Sequence, residues 1–153
     1  MFLTGCLEVV AMNSVTTLEH TSIQLAQTLW HRLSPQQKAD YMVLVYRILL
    51  NRYPVYKNIF PKELETVRDH MTDTINYLVQ HLEYPEKMKA VFDCLGAKHQ
   101  QLGIKPEMFP HMVECKVEAL REFFGGTLSQ DDLKQWEKVM SFLANSILQA
   151  YPE

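Results

Sequence analysis

Apolar residues recur along this chain at intervals of three and four, and prolines fall where the resulting stripes begin. Ile23, Ala26, Leu29, Trp30 and Leu33 make the first stripe and predict a helix from Thr21 to Leu33. Ser34-Pro35 follows as an N-cap and a first-turn proline, a place where the missing N–H costs nothing. The second helix is expected from Pro35 to about Asn51, with Tyr41, Val45, Ile48 and Leu49 covering more than half its circumference. Pro54 ends it, because the residue before a proline resists helical angles. A short turn of helix is expected from Pro54 to Ile59.

Pro61 opens a third long element, Lys62 to Leu82, with Leu64, Val67, Met71, Ile75, Leu78, Val79 and Leu82 on one broad face. Pro85 starts a fourth, with Met88, Val91, Phe92 and Leu95 inward, and Leu102-Gly103-Ile104-Lys105-Pro106 breaks it. A fifth runs to Phe124 and stops at Gly125-Gly126. Its first turn should be irregular, since Pro110 lies four residues after Pro106. Ser129-Gln130-Asp131-Asp132 reads as a capped start for the last helix, which carries Leu133, Trp136, Met140, Leu143, Ala144 and Ile147. No useful period-two alternation occurs. The expected class is all-α, one domain of six to eight helices.

Composition agrees with that reading. Glycine and proline together number 12 of 153 residues, few enough that long helices are favoured over many short strands. With 47% hydrophobic and 22% charged residues the chain is globular, and one domain of this length buries a core without staples. The net charge of −3 argues against nucleic acid or an anionic membrane as partner. Cys6, Cys94 and Cys115 form no CxxC pair and read as reduced thiols of a soluble, cytoplasmic protein. The apolar start Met1 to Met12 has no basic leader, is interrupted by Glu8 and is too short to span a bilayer. Residues 1–20 are therefore expected to be an N-terminal extension, and 21–153 the domain.

The candidate chemistry rests on six histidines, His20, His31, His70, His81, His99 and His111. No His-x-x-x-His or Cys-His pair makes a helix-face zinc site, and no serine stands in a nucleophile elbow. His99 differs by its neighbourhood: Leu95-Gly96-Ala97-Lys98-His99 leads into Gly103-Ile104-Lys105-Pro106-Glu107-Met108-Phe109. This string resembles the proximal-histidine segment of globins. Leu29-Trp30, Tyr53-Pro54 with Phe60 six residues after the proline, and Gln135-Trp136 with Phe142-Leu143-Ala144-Asn145 resemble further globin landmarks in the right order. The chain is similar to single-domain bacterial-type globins and to the globin portion of flavohaemoglobins, from about Thr21 to Tyr151.

The resemblance implies a globin fold around a haem pocket, with a short or absent fourth helix, and haem b (iron protoporphyrin IX) as cofactor. It implies His99 as the axial iron ligand, with the carbonyl of Leu95 one turn earlier fixing its tautomer. Phe60 would stack on the porphyrin, and Leu95, Ile104, Phe109 and Met112 would line the apolar pocket. Tyr46, eight residues before Pro54, matches the tyrosine that flavohaemoglobins carry on their second helix, a donor to bound dioxygen. His70, ten residues after Phe60 and 29 before His99, is the favoured distal residue and candidate distal ligand, with Thr74 one turn on. Counting back from His99 without gaps puts Val67 and Met71 there instead. Two positions depart from the flavohaemoglobin pattern, Phe109 for a tyrosine and Gln149 for a glutamate. The chain also ends at Glu153 with no flavin or nicotinamide domain. The leading expectation is reversible binding of dioxygen, with carbon monoxide and nitric oxide as further ligands. A haem-based sensor with its output domain elsewhere and a nitric-oxide dioxygenase served by an external reductase are the alternatives. A helical interaction domain without cofactor is the fallback.

Overall fold

The computed structural model of the chain describes residues 18–60 and 63–152. The N-terminal segment with Cys6, and the Pro61-Lys62 start expected for the third element, lie outside the described residues. Among the described residues six α-helices follow one another: α1 (His20–His31), α2 (Pro35–Arg52), α3 (Leu64–Gln80), α4 (Pro85–Gln101), α5 (Met108–Phe123) and α6 (Gln130–Gln149). A single 3-10 turn, Pro54–Asn58, stands between α2 and α3. The described residues between that turn and α3 form no helix, as expected, and the described chain holds no strand.

The caps sit where the polar residues announced them. Ser34 Oγ accepts from the Gln37 N–H while the Gln37 side chain accepts from the Ser34 N–H, and Ser129 and Asp132 repeat the exchange at α6. Each pair satisfies two N–H groups that the helix start leaves without partners. Beyond α5 the chain reverses through Gly125 and Gly126 at φ 60° and 82°, a left-handed backbone open to glycine at little cost. Helix α5 begins at Met108, two residues after Pro106, through the irregular turn that the two prolines predicted.

Helix α1 lies across α6 and α3, α2 crosses α5, and α4 and α5 both pack on α6. Trp30 of α1 and Trp136 of α6, both fully buried, stack with centroids 6.1 Å apart, and Tyr41 of α2 meets each edge-on. The Trp30 indole N–H donates to Asn76 Oδ1 of α3 at 2.6 Å, so that four helices meet at this cluster. Aromatic pairs of this kind add about 0.5–1.5 kcal/mol beyond their area burial. None of the three rings of this knot lines the cavity that α2 to α6 enclose.

Gly96 sets the contact between α4 and the end of α6. A Cβ built there would lie 2.7 Å from the carbonyl oxygen of Ala150, which is backbone and has no rotamer to yield. Gly96→Ala is expected to cost about 1–3 kcal/mol by overpacking and to push the C-terminal residues off α4. Chemical denaturation checks the first effect. A destabilisation below 0.5 kcal/mol (roughly the range of an ordinary surface change) would show that the two segments are not locked there.

Candidate functional site

A cavity of about 380 Å³ lies between α2, α3, α4, α5 and α6, within the range of cofactor-sized pockets. Its walls are mainly aliphatic and aromatic, and the few polar groups in them sit at defined places. His99 stands in the last turn of α4, half-buried, with Nδ1 2.7 Å from the Leu95 carbonyl oxygen. A carbonyl can only accept, so Nδ1 carries the ring proton and Nε2 keeps its lone pair. Burial pulls the imidazole below its ordinary pKa, with the Leu95 bond working against it and Lys116 adding to it. The ring is therefore neutral at pH 7.

The chain around His99 is held by its own turns. Gly103, at φ 82°, turns the backbone after α4, and the Ile104 N–H reaches back to the His99 carbonyl at 3.0 Å. Phe109, in the first turn of α5, stacks beside the His99 ring at 5.8 Å. Tyr151 meets Phe109 edge-on at 5.9 Å and donates its hydroxyl to the Ile104 carbonyl at 2.7 Å. Leu95, Ile104, Phe109 and Met112 all line the cavity. Tyr151 was not anticipated. Gln149, expected near the histidine, is exposed, because it ends α6 on the outward side. The residue that packs against Phe109 beside His99 is Tyr151, two positions later, where the chain has left the helix.

Tyr46 and Phe60 face the cavity from the other side, with the two rings edge to face at 5.0 Å. Tyr46 is 1% exposed, and among the described residues its hydroxyl has no hydrogen-bond partner. Burial pushes the phenol far above its ordinary pKa, so it remains an O–H donor.

Helix α3 supplies the remaining wall, and both sequence alignments of it meet the cavity. Val67 and Met71 are partly buried with Ile75 and Leu78 buried beyond them. His70 lines the cavity too but is exposed, and it also faces an outer groove with Glu65, Arg68, Asp69 and Asp73. Thr74 donates its hydroxyl to the His70 carbonyl at 2.8 Å, so its own helix takes up its one donor. A further polar group is Lys116 of α5, which nothing in the motif reading singled out. Its signal was a lysine on the inward stripe Phe109, Met112, Val113.

The two cysteines of the described residues are free: Cys94 exposed, Cys115 buried with its thiol pushed up to about 11 by burial. No helix among the described residues is long and apolar enough to cross a membrane.

The family model described as Globin matches residues 43–147. An uncharacterised globin-like protein of Aquifex aeolicus is 24% identical over 104 residues, covering 68% of this chain and 73% of that protein. The flavohemoprotein of Halalkalibacterium halodurans is 26% identical over 107 residues, 68% of this chain but 26% of its own length. The chain thus spans about a quarter of the flavohemoproteins it matches. Among solved structures, a bacterial globin from Campylobacter jejuni superposes with a TM-score of 0.77 at 22% identity, over 86% of this chain and 95% of that one. An engineered carbene transferase from Rhodothermus marinus superposes with a TM-score of 0.78 at 22% identity, over 87% and 92%. These superpositions establish likeness of fold.

Proposed function

The chain belongs to the globin family, and on that premise we propose that residues 21–153 form a haem-binding unit, with residues 1–20 as an extension, that reversibly binds dioxygen. Haem b, when held, supplies a ferrous iron with one open position for dioxygen, carbon monoxide or nitric oxide. The observation that carries the reading is the fixed tautomer of His99: a neutral imidazole whose Nδ1 is committed to Leu95, so that Nε2 is the free nitrogen of the cavity wall.

The donor set fits the group. Among the described residues no three His, Cys, Asp or Glu side chains converge on a metal position. A bare ion would find too few ligands here, whereas a metal carried in a macrocycle needs one nitrogen from the protein. Leu95, Ile104, Phe109 and Met112 give the disc an apolar bed and keep water from it, and Phe60 offers an aromatic edge fixed by Tyr46. Tyr46, in the cavity wall, would offer a hydroxyl donor to a ligand held there. His99 has one hydrogen-bond partner, a neutral carbonyl, while Phe109 offers none and Gln149 lies outside. That proximal environment favours reversible binding over peroxidase-like turnover, and turnover of nitric oxide would require an external reductase.

Addition of haemin to the purified protein, reduction, and cycling between argon and air tests the reading. Stoichiometric uptake with a spectrum that switches reversibly between deoxygenated and oxygenated forms is expected. A protein that takes up no haem would sink it.

His70 provides a separate test. Its exposure and its position at the mouth predict a ferrous form that is mainly five-coordinate without gas, and His70→Leu should change oxygen release and autoxidation. If His70→Leu changes neither while substitutions at Val67 or Met71 do, the distal residues are Val67 and Met71.

A further inference from the structure

Lys116 is the one lysine or arginine among the residues that line the cavity, and gas binding at His99 does not use it. It lies seven residues beyond Phe109 on α5, two turns along the same face and about 10 Å farther along the helix axis. Its backbone carbonyl accepts the Tyr41 hydroxyl at 2.7 Å, which pins this turn of α5 against α2. No Asp or Glu is among the residues that line the cavity, and within the described residues the ammonium has no salt bridge and no hydrogen-bond acceptor. Lys116 is half-buried, and cations withdrawn from water are ordinarily paired, because the loss of hydration is otherwise uncompensated. Burial pulls this one down to about 8, so it still carries its charge at pH 7.

We propose that Lys116 is an anion-recognition residue of the cavity, the counter-charge for a small monoanion that enters beside the haem. The proposal rests on the haem-binding reading above. An anion entering an apolar chamber loses its water, and an ammonium with no other acceptor replaces part of it. A neutral ligand gains nothing comparable. The charge therefore selects among ligands by their charge and not by their size. A haem propionate has the same anionic chemistry, and the experiment separates the two sources.

Ferric, haem-loaded wild type, Lys116→Met and Lys116→Arg are titrated spectrophotometrically with azide, and with imidazole as a neutral control. Haem transfer to an acceptor apoprotein is measured in parallel. Lys116→Met is expected to weaken azide at least tenfold while imidazole binding and haem retention stay within twofold. Lys116→Arg is expected to keep azide within threefold of wild type. Equal weakening of azide and imidazole would overturn the proposal in favour of packing. Unchanged azide with faster haem loss would overturn it in favour of a propionate contact. Failure of the wild type itself to take up haem is a separate result, and it sinks the haem-binding reading and this proposal together.

Discussion

His99→Gly is expected to give a folded protein that no longer retains haem. The side chain lies in the last turn of α4 and makes one hydrogen bond, to a carbonyl of its own helix. Removing it leaves the aromatic knot of Trp30, Tyr41 and Trp136 untouched, since none of those rings lines the cavity. The wall around it has no second nitrogen suited to replace it at the same place, since His70 stands across the cavity at its mouth. The disc would then rest on apolar contacts alone. Losing an outer-shell partner of a ligand costs roughly 10- to 100-fold in metal affinity, and loss of the ligand itself should exceed the upper end. Circular dichroism should show the helices intact, and free imidazole added to the variant should restore much of the ferrous spectrum. Full haem occupancy with an unchanged ferrous spectrum and no imidazole present would refute His99 as the ligand.

Local signals located most of this fold. Proline and serine mark helix starts by removing or supplying single hydrogen bonds, so Pro35, Pro85, Ser34 and Ser129 could be read without knowing what the helices touch. The Leu95–His99 bond was legible for the same reason, because it closes within one turn. Contacts between distant segments were not legible. Tyr151 reaches Ile104 across 47 positions only because α6 ends at Gln149 and the chain then turns inward over Gly96. The flavohaemoglobin resemblance carried along α6 therefore pointed to Gln149, which is exposed. Helix α3 shows the second limit. At about 100° per residue, Met71, Thr74 and Leu78 fall within roughly 40° of Val67, while His70 lies about 60° to one side. Both alignments thus reach the cavity, and a difference of part of a turn separates its lining from its mouth.

Tyr46→Phe is expected to speed dioxygen release by about 10- to 150-fold, the equivalent of roughly 1.5–3 kcal/mol for a hydrogen bond to a charged acceptor. The phenol has what such a donor needs. It is buried, so its bond to a ligand would not compete with bulk water, and its raised pKa keeps the proton on the oxygen. Phe60, edge to face at 5.0 Å, limits the ring's swing, so little order must be gained when a ligand arrives. Within the described residues no protein group competes for the hydroxyl. Dioxygen at ferrous iron draws electron density toward its outer atom, and carbon monoxide does so far less. The two gases have similar size but differ in the charge they present. Flash photolysis and stopped-flow mixing of Tyr46→Phe should therefore show a large rise in the dioxygen off-rate beside a carbon monoxide off-rate changed by less than about threefold, under 0.7 kcal/mol. The phenylalanine keeps the ring and its packing, so it removes the donor alone. An equal change for both gases would mean that Tyr46 shapes the cavity without recognising what enters it.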